Sequence, residues 1–174
     1  MKRYEDNKDS RYKVGFYGGK FIPFHKGHNY CIECASRQCE KVHVILFYGG
    51  DQEIAMFKEM SDAEKEEYSL ENRLRAVTES CRKFGNVEVH VVDVTDVKHA
   101  DGTEDWDGET TLVLTVTGKM DAVYSSELSY DEYFTRAYPW AEHILVDPPR
   151  EHYPISGTKL RGMKDKEEKE RWIL

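Results

Sequence analysis

The sequence has 174 residues with 39% hydrophobic and 12% aromatic side chains, enough for one packed core and too much for a disordered chain. Its 33 Asp and Glu against 25 Lys and Arg leave a net charge of −8, which argues against a broad nucleic-acid or anionic-membrane surface. No apolar run approaches the roughly 20 residues that cross a bilayer, and residues 1–13 are too polar for a signal peptide. A soluble, cytoplasmic chain forming one domain over residues 1–174 is expected.

After a charged leader over residues 1–11, residues 12–17 (YKVGFY) read as a short buried strand. It ends in Gly18-Gly19, where a backbone can turn or approach a ligand closely. Pro23 bars a helix before it, and a helix is predicted from about Gly27 to Gln38. Residues 41–48 (KVHVILFY) form a near-continuous apolar run, the mark of a strand covered on both faces. Ser61-Asp62-Ala63-Glu64 is a capping-box signature. The helix it opens should break near Ser69 and carry Leu70, Leu74 and Val77 on one face.

Gly85-Asn86 stops that helix, residues 87–94 read as the third strand, and residues 98–108 as a polar loop without periodicity. Residues 110–117 (TTLVLTVT) have strand composition. Parallel strands, however, need a crossover of about a dozen residues, and no other segment lies between the third and fourth strands. A helix is therefore predicted there. Residues 121–125 and 143–146 supply two more strands with a helix around residues 131–137 between them. The tail from Thr158 reads as helical, including residues 164–174. The sum is an α/β chain with a Rossmann-like, doubly wound parallel sheet of five strands.

Four cysteines occur, and Cys31-Ile-Glu-Cys34 has C-x-x-C spacing with Cys39 following and Cys81 distant. A zinc site would need a second paired half, and a redox motif would have to open a helix after a strand. These cysteines are read as small, partly buried helix-face residues, and no metal site is expected.

Two stretches carry chemistry. In a parallel sheet, ligands bind outside the carboxyl ends of the strands. There Gly18 and Gly19 allow backbone amides to approach an anion, and His25 and His28 flank the start of a helix whose N-terminus favours phosphate. Two donors aimed at one polyphosphate suit phosphoryl or nucleotidyl transfer. The plainer reading is that one histidine caps the helix and the other is a surface residue. The second stretch, residues 154–161 (PISGTKLR), opens another helix with Ser156, Gly157 and Thr158, and Arg161 adds a planar fork for phosphate oxygens. An ordinary N-cap with a solvent-facing arginine is the plainer reading here.

Residues 18–28 (GGKFIPFHKGH) followed by residues 155–161 (ISGTKLR) resemble the paired signatures of the H-x-G-H nucleotidylyltransferase superfamily. Lys20-Phe21-x-Pro23, Tyr124-Ser125-Ser126-Glu127 and Val146-Asp147-Pro148-x-Arg150 resemble the nicotinamide mononucleotide adenylyltransferase domain of NadR-type proteins. The resemblance spans residues 14–172. It implies that ATP, accompanied by Mg2+, and nicotinamide mononucleotide are converted to NAD and pyrophosphate without a covalent enzyme intermediate.

By motif position, His25, His28, Lys20 and Arg161 would be the catalytic residues. Phe16, Tyr17, Gly18, Gly19, Ser156, Gly157 and Thr158, with the two histidines and Arg161, would hold ATP. A loop tryptophan of this family stacks on the nicotinamide ring, which assigns Trp106 and its neighbour Asp107 to the mononucleotide; the plainer reading of Trp106 is a loop anchor. The family's second tryptophan, three positions on, is Glu109 here. Asn72 and Arg73 are read as packing or surface residues.

The chain ends about a dozen residues after Arg161 and has no P-loop, so neither the kinase nor the DNA-binding domain of some NadR-type proteins is expected. Phosphopantetheine adenylyltransferase, a cytidylyltransferase and a non-catalytic nucleotide sensor are the alternatives, and a homo-oligomer is left open.

Overall fold

The computed structural model describes residues 1–6 and 11–174; residues 7–10 of the expected leader lie outside the described residues. The described strands are β1 (Lys2–Arg3), β2 (Tyr12–Gly19), β3 (Cys39–Tyr48), β4 (Val87–Asp93), β5 (Ala122–Ser125) and β6 (Glu142–Leu145). They form one parallel sheet in the order β1-β6-β5-β2-β3-β4. The chain runs outward from β2 through β3 to β4, then returns to the other side of β2 for β5 and β6. That reversal opens a crevice at the carboxyl ends of β2 and β5, where doubly wound sheets bind ligands.

All five predicted strands are present. The sixth, β1, comes from the segment read as a leader and pairs Lys2 with Ile144 and Arg3 with Leu145. Two consecutive cationic residues carry no alternation from which a strand could be predicted.

The helices are α1 (Lys26–Gln38), α2 (Asp51–Lys58), α3 (Asp62–Glu67), α4 (Leu70–Cys81), α5 (Trp106–Thr117), α6 (Asp131–Ala137), α7 (Gly157–Gly162) and α8 (Lys166–Glu170). One face of the sheet packs Tyr17, Val42, Val44 and Leu46 against Ile32 and Ala35 of α1 and Val77 of α4. The other packs Phe16, Ile45, Val92 and Val123 against Val113 of α5, with Phe134 of α6 at the margin. Successive side chains of a strand point to opposite faces, so burial on both sides produces the continuous apolar runs.

Residues 110–117 are helical, so the topological requirement prevails over their β-branched composition. The helix begins earlier than predicted, because Asp105 caps it by accepting from the Gly108 N–H at 3.0 Å. Trp106 and Asp107 therefore occupy the first turn of α5 and not a loop. The Ser61 capping box is made, with Glu64 N–H donating to Ser61 Oγ at 3.3 Å and Ser61 N–H to Glu64 Oε2 at 2.8 Å. The predicted break at Ser69 is real, and Ser69 Oγ caps α4 through Asn72 N–H. Asn72 also donates to Glu66 O at 2.7 Å. Helix α2 was not predicted; it starts after Gly50 without a side-chain cap and is eight residues long. The helical tail is interrupted after Gly162, and Asp165 caps α8.

The four cysteines are free and buried. Cys31 and Cys34 lie on the core face of α1 as expected, but Cys39 opens β3 instead of lying on a helix. Gly18 and Gly19 form no turn, since they are the last two residues of β2. A Cβ on Gly18 would stand 2.6 Å from the Phe47 ring, and one on Gly19 2.6 Å from the Phe21 ring. No described helix is long and apolar enough to cross a membrane.

Candidate active site

The carboxyl end of β2 leads through Phe21, whose φ is +54°, and a cis Ile22–Pro23 bond into the start of α1. His25 is the N-cap of that helix, with extended backbone at φ −143° and ψ 172°. Its Nδ1 accepts from Gly27 N–H at 3.1 Å, while its own N–H donates to His28 Nδ1 at 3.3 Å. This is a capping box built from two imidazoles instead of Ser and Glu.

Accepting at Nδ1 fixes each neutral ring with its proton on Nε2. Both rings therefore carry an N–H donor at Nε2, and they lie stacked with centroids 3.6 Å apart. His25 is buried, at 1% exposure, and its Nε2 has no partner among the described residues. Burial lowers the His25 pKa to about 4, with Arg150 adding to the effect. Burial, then His25, then Arg150 hold His28 well below the usual imidazole range. The capping that the sequence offered as the plainer reading uses Nδ1 of both rings and leaves Nε2 of each free of it.

The second predicted stretch meets the first directly. Ser156 caps α7 by accepting from Lys159 N–H at 3.1 Å. Arg161 Nη1 donates to Ile22 O at 2.5 Å, and Nη2 reaches Thr158 Oγ1 at 3.3 Å. A Cβ on Gly157 would stand 2.9 Å from the same Ile22 oxygen, so glycine is what lets the two loops touch. Lys20 Nζ donates to Gln52 Oε1 at 3.1 Å and lies 4.0 Å from Glu104 Oε2. Its carbonyl is held by the buried Arg73, which donates to Lys20 O at 3.0 Å and to Glu53 Oε1 at 2.5 Å. Arg73 thus braces the loop from behind, as a packing residue.

These groups line one cleft of about 410 Å3, within the range of small-molecule sites. The cleft brings together Phe16, Tyr17, Gly18, Gly19, Lys20, His25, His28, Trp106, Ser156, Gly157, Thr158 and Arg161. Asp107 is not among its lining. It is exposed and pairs with Arg136, at 3.1 Å from Nη2, because the first turn of α5 directs Trp106 and Asp107 to different sides.

Several lining residues were quoted in the resemblance but given no role in the site. Arg150 has φ +55°, pairs with the Glu127 carboxylate and donates to Ile155 O at 2.9 Å. The Asp-Pro-x-Arg pattern that ends in Arg150 was the available signal. Asp147, at φ +45°, accepts from the backbone of Glu151 and His152, each at 2.9 Å, and so folds that loop. Left-handed backbone at non-glycine residues is uncommon and collects at functional sites; Phe21, Asp147 and Arg150 all line this cleft.

On the wall formed by α5, the Trp106 ring, 36% exposed, makes edge contacts with Tyr130 and Tyr133 at centroid distances of 5.7 and 5.2 Å. Beside it lie Glu104 and Glu109, whose Oε2 and Oε1 respectively are buried without a hydrogen-bond partner among the described residues. Burial first, then Glu104, raises the Glu109 pKa to about 8. The wall is aromatic and acidic, whereas the loops from β2 and into α7 carry Lys20, Arg161 and the imidazole donors.

No family model matches the chain. The trifunctional NAD biosynthesis/regulator protein NadR of Escherichia coli is 26% identical over 150 residues, which are 85% of this chain and 36% of that protein. The chain thus spans little more than a third of the length of that relative. Phosphopantetheine adenylyltransferase of Streptococcus pneumoniae is 30% identical over 154 residues, covering 87% of this chain and 83% of that enzyme. A crystal structure of a NadR protein in complex with NAD and AMP-PNP superposes with a TM-score of 0.60 at 23% identity, over 96% of this chain and 46% of the other. That likeness establishes the fold.

Proposed function

The chain belongs to the nucleotidylyltransferase superfamily that includes phosphopantetheine adenylyltransferase and NadR, and from that premise we propose that it transfers the adenylyl group of ATP to nicotinamide mononucleotide. The 5′-phosphate oxygen of the mononucleotide attacks the ATP α-phosphorus in line. The bond from that phosphorus to the bridging oxygen breaks, its electrons leave with pyrophosphate, and NAD is the other product. Positioning and charge stabilisation carry such a reaction.

His25 and His28 supply neutral N–H donors from Nε2 to the phosphate oxygens, and Lys20 and Arg161 supply positive charge as pyrophosphate departs. The capping box supports this role, because it holds both donors in place before ATP arrives. Backbone from Phe16 to Gly19, with Ser156, Gly157 and Thr158, holds the nucleotide. ATP enters as its Mg2+ complex, with phosphate oxygens and water supplying most of the ligands.

The acceptor assignment rests on the α5 wall. A pyridinium ring is cationic and carries an amide, and an aromatic face beside the Glu104 carboxyl attracts a cation, while the protonated Glu109 can hydrogen-bond the amide. The phosphopantetheine arm is uncharged beyond its phosphate and offers no cation to Trp106 and Glu104. The 30% identity to a phosphopantetheine adenylyltransferase is what favours the second reading. Purified protein with ATP and Mg2+ would be offered nicotinamide mononucleotide, its deamidated form or phosphopantetheine in separate reactions, or phosphocholine with CTP. NAD and pyrophosphate are expected from the first. Pyrophosphate from phosphopantetheine alone would overturn the acceptor while leaving the chemistry. ATP binding without turnover in any reaction would favour a sensor.

A further inference from the structure

Strands β3 and β4 are paired in parallel with His43 opposite Glu88 and Ile45 opposite His90. Residues two apart on a strand share a face, so His43, Glu88 and His90 project on the side of the sheet that Ile45 and Val92 share with α5. None of the three lines the nucleotide cleft. His43 is buried, His90 half-buried and Glu88 exposed. His43 Nδ1 and His90 Nε2 are 2.9 Å apart, and His90 Nε2 is 3.8 Å from Glu88 Oε1. One ligand atom from each residue falls within 4.8 Å of the other two.

From this convergence we infer that His43, Glu88 and His90 form a binding site for a divalent first-row transition-metal ion, with Zn2+ as the best-matched occupant. Two imidazoles and one carboxylate are a ligand set that Zn2+ takes, with water in the fourth position. Zn–N bonds of about 2.0–2.1 Å in a tetrahedron place two nitrogens roughly 3.3 Å apart. The imidazole pair needs to open by only a few tenths of an ångström, and the carboxylate to close by a similar amount.

Lys41 Nζ holds Glu88 Oε2 at 2.6 Å and leaves Oε1, the oxygen nearer His90, for the ion. Such a lysine orients a carboxylate from outside the coordination sphere. A bound ion would add a side-chain cross-link to the backbone ladder that pairs the edge strand β4 with β3.

The test uses the full chain, freed of metal by dialysis against EDTA, and titrated with Zn2+ in competition with a chromophoric chelator. One equivalent is expected to bind with micromolar or tighter affinity and to raise Tm, as any ligand of the folded state does. His90→Gln is expected to weaken binding at least tenfold and to abolish the rise in Tm, with kcat for adenylyl transfer unchanged. Glu88→Gln should weaken binding less. Co2+ in place of Zn2+ should give the d–d bands of a nitrogen and oxygen site. The inference is overturned by an absence of saturable one-to-one binding, by equal affinity in His90→Gln, or by thiolate-to-cobalt charge transfer, which would move the ion to the cysteines.

Discussion

The loop entering α1 and the wall formed by the first turn of α5 face the same cleft but are built differently. At the α1 loop, backbone amides set the tautomer of each histidine, the rings stack at 3.6 Å, and Arg161 ties the loop to α7 through Ile22 O. On the α5 wall, the Trp106 ring makes edge contacts with two tyrosines, and two carboxyl groups remain without full partners among the described residues. The first region has its capping groups satisfied and leaves His25 Nε2 without a partner among the described residues. The second keeps unsatisfied polar groups and exposed ring surface, which a ligand can complete. Under the proposed function, the former would carry the machinery common to adenylyl transfers and the latter the choice of acceptor.

Four outcomes break or sharpen that division. Removing the α1 donor should have the largest effect: His28→Ala is expected to lower kcat by about 10²–10³-fold, the range for loss of one transition-state donor. Circular dichroism should show the fold intact, and a near-normal kcat would take His28 out of the chemistry. Trp106→Ala should raise KM for the mononucleotide about tenfold through the lost cation–π contact, with KM for ATP scarcely changed. Equal increases in both would dissolve the division.

Glu109→Gln tests the acidic wall through stability. Between the ordinary carboxyl value of 4.5 and the folded value of about 8, the unfolded chain is ionised while the folded chain retains the proton. Stability must therefore fall as pH rises through that window. Thermal melts from pH 5 to 8 should show a steeper decline in Tm for the wild type than for Glu109→Gln, and parallel curves would refute the raised pKa. The smallest effect is an expected absence. With His25 titrating near 4 and His28 also held low, the pH profile of kcat/KM for ATP should have no inflection near 6.5. An inflection there that disappears in His28→Ala would show that the free enzyme uses an imidazolium.

What could be read beforehand follows the same line. The sheet was legible because strands covered on both faces must be continuously apolar, as in KVHVILFY, and α5 because parallel strands need a crossover even when its composition favours a strand. The meeting of His25, His28, Ser156 and Arg161 in one cleft was legible because helix N-termini need caps at fixed spacing and both helices start at the carboxyl edge of one sheet.

The rest depended on meetings that spacing does not encode. Arg161 finds the Ile22 carbonyl across 139 residues, and Arg73 finds Lys20 O from α4. Glu104 and Glu109 become a pair only because α5 starts at Trp106, a boundary set by the Asp105 cap. The same early start places Asp107 against Arg136 and outside the cleft.

The two-residue strand β1 also governs how the molecule behaves among its neighbours. Lys2 and Arg3 lie along β6, Tyr4 N–H donates to Leu145 O at 2.8 Å, and Lys2 Nζ pairs with Glu142 at 2.7 Å. An uncovered edge strand is a template on which another chain can pair, and short, cationic coverings blunt it. Cutting away residues 1–6 would uncover the backbone of Ile144 and Leu145, turning a sealed margin into an adhesive one. Protein lacking this strand should be watched for self-association as its concentration rises.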